Sequence, residues 1–174
     1  MTREGALLIT VAVAIGLLGL VAWGWRRRTR RDAGLVPPVG ELPAGAAVIG
    51  VFPALYVATT RHGEPLERLA IRGLGFRSKA DVTVTDAGVA LDLVGQPRLF
   101  ISRAEITGVD QATVAIDRVV ERDGLARLDW RITTGDGGPV VVDSYFRPQE
   151  TSARALVDAL RQISDPAPTT GDPA

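Results

Sequence analysis

Few residues in this chain have the type and spacing that covalent chemistry needs. Among its 174 residues there is no cysteine and one histidine, His62. A thiol nucleophile, a disulfide framework and a cysteine metal site are therefore excluded, and a histidine-rich metal centre lacks its ligands. His62 sits beside Gly63 in a turn-like stretch, where an exposed ring is expected rather than a general base. The serines are Ser78, Ser102, Ser144, Ser152 and Ser164, and none lies in a G-x-S-x-G elbow. Glu121 and Asp123 are close enough to suggest paired carboxylates or a cation site, but they flank a turn ending at Gly124, where acidic residues serve the turn itself. Arg72-Gly73-Leu74-Gly75 lacks the third glycine and the lysine of a phosphate-binding loop. Its glycines suit a bend between strands instead. The chain reads as non-enzymatic, with no catalytic, cofactor-binding or metal-binding residue to assign.

What it does offer is charge for binding. Arg61, Arg68, Arg72, Arg77 and Lys79 outnumber Glu64 and Glu67 across residues 61–79, a net of +3. This cluster suits contact with anionic lipid headgroups or with a partner, at about 1 kcal/mol per well-placed cation near a membrane surface. From the residues alone, a solvated loop with local ion pairs, each worth under about 1 kcal/mol, is the preferred reading. A second block, Arg26, Arg27, Arg28, Arg30 and Arg31, is uninterrupted by acid. From residue 32 on, fourteen basic residues face nineteen acidic ones, a net of −5. An acidic domain argues against nucleic-acid binding, which depends on neutralising phosphates. Nineteen of the twenty basic residues are arginine, the usage of a GC-rich bacterial genome.

The element that must position the arginine block is a membrane helix. Residues 5–25 contain no charge over 21 positions. At about 1.5 Å per residue they span roughly 31 Å, close to the ~30 Å hydrocarbon core. Trp23 and Trp25 close this run, where indole rings favour the headgroup zone, and the arginine collar follows at once. Five arginines resist translocation, so the expected orientation places the N-terminus outside and the C-terminal domain in the cytoplasm. A cleaved signal peptide fits poorly: the apolar run is too long, and it ends Trp-Gly-Trp where small residues are needed. Ala12-x-x-x-Gly16 is a small-residue pair of the kind that lets helices associate.

Residues 26–47 read as the collar followed by a linker, since Pro37, Pro38 and Pro43 forbid a continuous helix. Residues 164–174 are polar and proline-rich and read as a disordered tail. Between them, 48–163 is long enough for one core, and its pattern is mostly strand. Strands are expected at 48–60, at 76–85, from Val89 to Leu93, from Leu99 to Ile101, and at 112–116. Ala126, Leu128, Trp130 and Ile132 alternate with Arg127, Asp129 and Arg131, the period of a half-buried antiparallel strand. Trp130 is expected in the core, and Val140 to Phe146 returns as its partner. Tyr145 beside Arg147 would suit a partner surface if it faces outward. A helix then follows, with Pro148 near its first turn and Leu156, Ala159, Leu160 and Ile163 as its apolar stripe.

About seven antiparallel strands closed by a C-terminal helix resemble the pleckstrin-homology (PH) superfold. Leu55-Tyr56-Val57-Ala58-Thr59-Thr60, Gly73-Leu74-Gly75-Phe76, Phe100-Ile101, Ala104-Glu105-Ile106, Leu128-Asp129-Trp130 and Asp143-Ser144-Tyr145-Phe146-Arg147 resemble the short motifs of small actinobacterial proteins with one membrane helix and a PH-like domain. Genes of that group often lie near pyrimidine-biosynthesis genes, and its members are labelled only as membrane, export or transporter-like proteins. The resemblance implies a mainly β, seven-stranded sandwich or barrel capped by a helix, and assigns no catalytic residue. Phosphoinositide-binding PH domains carry a basic cluster across the first two strands; here only Arg77-x-Lys79 echoes that spacing. The expected role is a single-pass cell-membrane interaction or scaffold module with a protein partner. An accessory subunit of a transport or export system, and a sensor of anionic lipid surfaces, stay open beside it.

Overall fold

The computed structural model describes residues 3–115, 118–119 and 124–164. Glu121, Asp123 and the expected tail from 165 onward lie outside the described residues. The apolar run and the arginine block form one helix, α1 (Arg3–Asp32). It is long and apolar enough to cross a membrane, and none of its most apolar stretch is buried by the rest of the protein. The collar was expected to open a linker, but it stays helical because no glycine or proline occurs between Trp25 and Ala33. Arg30 and Arg31 in the last turn also sit favourably against the carbonyl end of the helix.

Downstream the chain forms β1 (Leu35–Val36), β2 (Val48–Arg61), β3 (Glu64–Arg68), β4 (Ser78–Thr85), β5 (Gly88–Leu93), β6 (Leu99–Ser102), β7 (Ile106–Ala112), β8 (Val114–Ala115), β9 (Arg118–Val119), β10 (Leu125–Thr134) and β11 (Pro139–Pro148), then α2 (Ala153–Arg161). Among the described residues every ladder between these strands is antiparallel. Seven strands run in the order β7-β10-β11-β2-β4-β5-β6, with β3 attached to β2. The sheet curls around a core in which Trp130, Tyr56 and Phe146 are the largest fully buried side chains. The expected face of β10 is the core face, where Ala126, Leu128, Trp130 and Ile132 are all buried. α2 lays Leu156, Ala159 and Leu160 onto the same core, and Ile163, expected in the helical stripe, reaches it from the turn just past the helix end. The architecture is the mainly β, helix-capped one expected.

Several elements differ from expectation. Of the expected strand at 112–116 only Val114–Ala115 forms one, the short β8, and the fifth strand of the main sheet is β7, 106–112. Its pattern is broken by Gly108, which packs so closely on Asp129 that an added Cβ would lie 2.7 Å from that carboxylate, and by a bulge opposite Asp129 and Trp130. Pro148 ends β11 rather than starting the helix. α2 begins at Ala153, after Ser152 caps it by accepting from the Ala155 N–H. β3 was not anticipated. It follows the two-residue turn His62-Gly63, where Gly63 takes the φ of 75° that such a turn requires.

The proline-rich segment is also more than a linker. Leu35 and Val36 pair with Thr134 and Thr133 at the end of β10. Two residues later, Phe100 N donates to Pro38 O at 2.8 Å and Gly40 N donates to Arg98 O at 3.2 Å. Residues 35–40 therefore connect β10 to the edge strand β6 and satisfy backbone groups that would otherwise be open.

Candidate functional site at the junction of helix and sheet

The α1 terminus is fastened to the domain by a buried carboxylate. Asp32 is 3% exposed; its Oδ2 accepts the Ala70 N–H at 2.9 Å and its Oδ1 accepts Arg31 Nε at 2.8 Å. Arg31 also reaches Glu67 at 2.5 Å, and Arg61 lies 3.4 Å from the same carboxylate. The charge of Asp32 is thus paired and hydrogen-bonded, as burial requires.

The segment it grips, residues 69–77 between β3 and β4, is held firmly. Leu69, Ile71 and Leu74 are buried in the core. Arg68 donates to Gly75 O at 3.0 Å and to Val57 O at 2.9 Å. The Tyr56 hydroxyl donates to Leu74 O at 2.8 Å and lies 2.9 Å from Thr59 Oγ1. Burial pushes that phenol well above its ordinary range. Thr59 continues to Ser144 Oγ at 2.7 Å, which accepts Trp130 Nε1 at 2.9 Å. A chain of buried hydrogen bonds thus runs from the centre of the sheet to the segment beside the membrane helix.

What this segment turns outward is Phe76, 71% exposed, flanked by Arg72 and Arg77. The Phe76 ring lies 6.1 Å from that of Trp25. Between the two elements is a cleft of about 720 Å³ whose walls include Leu20, Val21, Trp25 and Phe76, with Arg28 and Arg72 also lining it. The five cations expected to contact lipid or a partner are therefore not equivalent. Arg68 is engaged by carbonyls and Arg61 by Glu67. Arg72, Arg77 and Lys79 are exposed and have no ion-pair partner among the described residues. In the collar, Arg31 is committed to Asp32 and Glu67, while Arg27 lies over the Trp23 ring, 5.9 Å from its centre.

A second cluster sits on the outer face of the sheet. Asp129 and Asp143 are directly opposite on β10 and β11, a pairing that costs free energy unless compensated. His62 Nδ1 donates to Asp143 Oδ1 at 2.6 Å, and Gly63 N donates to Oδ2 at 3.0 Å. Arg127 Nε lies 2.9 Å from Asp129 Oδ1, off the line a hydrogen bond requires. Ligand atoms of His62, Asp129 and Asp143 lie within 4.8 Å of one another, near enough for a cation. Yet both Asp143 oxygens are already engaged and Arg127 supplies positive charge, so the cluster is an ion network compensated from within. Asp129 is nine-tenths buried rather than solvated, because the outer face also carries buried Leu125, Tyr145 and Ala115. Burial pushes its carboxyl up to about 6, against the pull of Arg127. Tyr145 is on the outer face, but it is 2% exposed and offers no partner surface. The sequence offered no signal that Asp32 meets Ala70 or that Phe76 meets Trp25, since an acid at a helix end and a lone aromatic acquire that meaning only through what faces them.

The sequence profile of the family described as Bacterial PH domain-like matches residues 33–161. The chain belongs to that family. The match begins at residue 33 and so includes the segment that connects β10 to β6. No curated protein matches the chain. Among solved structures, the C-terminal domain of an unknown protein from Leishmania infantum is similar over 82% of this chain and 97% of that one, at 10% identity and a TM-score of 0.40. PH-like folds are typically non-catalytic interaction modules.

Proposed function

We propose that this protein is a non-enzymatic, single-pass membrane module that holds a PH-like domain against the cytoplasmic face of the cell membrane, where it binds a protein partner. The observation that carries this reading is the continuity of α1 from its apolar run through the arginines to Asp32, with Asp32 buried against Ala70. A domain fixed this way stays at one height above the bilayer and at high effective concentration near other membrane proteins. The arginine collar supports the orientation. Arginine-for-lysine usage supports an actinobacterial origin, and the neighbourhood of pyrimidine-biosynthesis genes rests on the resemblance alone.

In-cell cross-linking of tagged full-length protein, followed by mass spectrometry, tests the role. A reproducible partner joined through residues 33–164 is expected. Capture only through residues 5–31 would overturn the module reading in favour of an accessory subunit of a transport or export system. The exposed pair Ala12 and Gly16 is what such a subunit would use to meet another helix. Orientation is open to clean labelling, because the chain has no native cysteine. A cysteine at residue 2 should react with an impermeant maleimide on intact cells, and one at residue 150 only after permeabilisation. The reverse pattern would refute the topology.

A further inference from the structure

We infer that the cleft between α1 and residues 69–77 binds one anionic phospholipid, with its phosphate between Arg28 and Arg72 and one acyl chain along Leu20, Val21, Trp25 and Phe76. The inference rests on the membrane-anchored reading above and gives that anchor a ligand. Three observations carry it.

The first is the sequence of surfaces along the cleft. Leu20 and Val21 belong to the apolar run, Trp25 to its aromatic end, and Arg28 to the collar. From Leu20 to Arg28 is about 12 Å along the helix at ~1.5 Å per residue, which is the passage from hydrocarbon to headgroup depth. An occupant lying there meets apolar side chains first and cations last, the polarity of a lipid with a negative head. A free anion would use only the cationic end.

The second is availability. Arg31, Arg61 and Arg68 are engaged within the protein, whereas Arg28 and Arg72 line the cleft with no ion-pair or hydrogen-bond partner among the described residues. Arg28 from α1 and Arg72 from the segment between β3 and β4 thus line one cleft, and two guanidiniums there would suit a phosphate.

The third is size and rigidity. The cleft of about 720 Å³ is large for a lone phosphate and small for a whole diacyl lipid. It fits a headgroup with the upper part of one chain, the remainder lying along α1 in the bilayer. Leu69 and Ile71 line the cleft and are buried in the core, so the site is largely pre-formed.

Native mass spectrometry of the full-length protein released from nanodiscs of phosphatidylcholine with phosphatidylglycerol tests this. One retained phosphatidylglycerol per chain is expected, in clear preference to phosphatidylcholine. The pair Arg28→Gln and Arg72→Gln should lower its retention about tenfold or more, taking ~1 kcal/mol per cation. Arg26→Gln with Arg30→Gln removes the same charge outside the cleft and should leave retention unchanged. Phe76→Ala should weaken retention without changing the preference for the anionic head. Equal loss in both arginine pairs, equal retention of the two lipids, or displacement by millimolar glycerol phosphate would each overturn the proposal. Flotation of the same protein with liposomes separates the two levels. A chain that fails to float refutes the anchor and the site together, and one that floats yet retains no lipid refutes the site alone.

Discussion

Tyr56 shows how one hydroxyl ties the centre of the sheet to its membrane-proximal loop. It is fully buried, and so are its partner residues Leu74 and Thr59. Tyr56→Phe removes the hydroxyl while keeping the ring that packs on Phe146. A loss of about 1–3 kcal/mol in unfolding free energy is expected, because Leu74 O is left unpaired while Thr59 keeps Ser144. Chemical denaturation measures it, and a change under 0.5 kcal/mol would show that the network carries no weight. Asp129 acts through pH. Its carboxyl titrates near 6 in the folded protein and near the ordinary carboxylate value when unfolded, so the folded state holds the extra proton between those two values. Its contribution is therefore favourable at acid pH and is lost as pH rises toward and past about 6. Asp129→Asn should flatten the dependence of Tm on pH between roughly 4 and 7; an unchanged slope would assign the titration elsewhere. Period-two alternation placed Asp129 opposite the core correctly but could not reveal its burial, because alternation records one covered face and is silent about the other.

At the scale of elements, the long strands were legible because each repeats a buried residue at every second position, as Val82 with Val84 and Leu128 with Trp130 do. Strands with glycine or charge at those positions were not, which is why β3 and β7 escaped. The segment 35–40 was misread for a related reason. Proline excludes a helix and so suggests a linker, yet it leaves carbonyls free to accept, as Pro38 O does from Phe100 N. A fragment of residues 33–164 should be measurably more stable than one of residues 48–164, which leaves the edge of β6 open. Equal midpoints in urea would show that the segment is dispensable. Gly88 offers a sharper test of the neighbouring strands. Its φ is 151°, and an added Cβ would lie 2.2 Å from Ile101 O, so Gly88→Ala must force β5 from β6. A loss of about 3 kcal/mol or more is expected, read as a fall in Tm, and a variant that melts with wild type would refute the close approach.

For the whole molecule, the sequence showed an apolar helix, a cationic collar and a β domain but not how they meet, because the meeting depends on pairs far apart in the chain. Asp32 with Ala70, Arg31 with Glu67 and Trp25 with Phe76 are each joined by tertiary structure alone. Asp32→Ala should loosen this joint while leaving the domain folded. Limited proteolysis in nanodiscs would then cut faster around residues 32–35 at an unchanged domain Tm, whereas a cutting rate equal to wild type would mean the joint is held elsewhere. The shortness of that joint has a mechanical corollary. Between the end of α1 and the first ladder pair there are only two residues, Ala33 and Gly34, so there is no slack to absorb a pull. Tension on the domain would pass directly into the β1–β10 pairing and along the helix axis into the bilayer. A tilt of the helix would swing the domain as a lever swings its load, so that any partner gripping the domain also steers the helix.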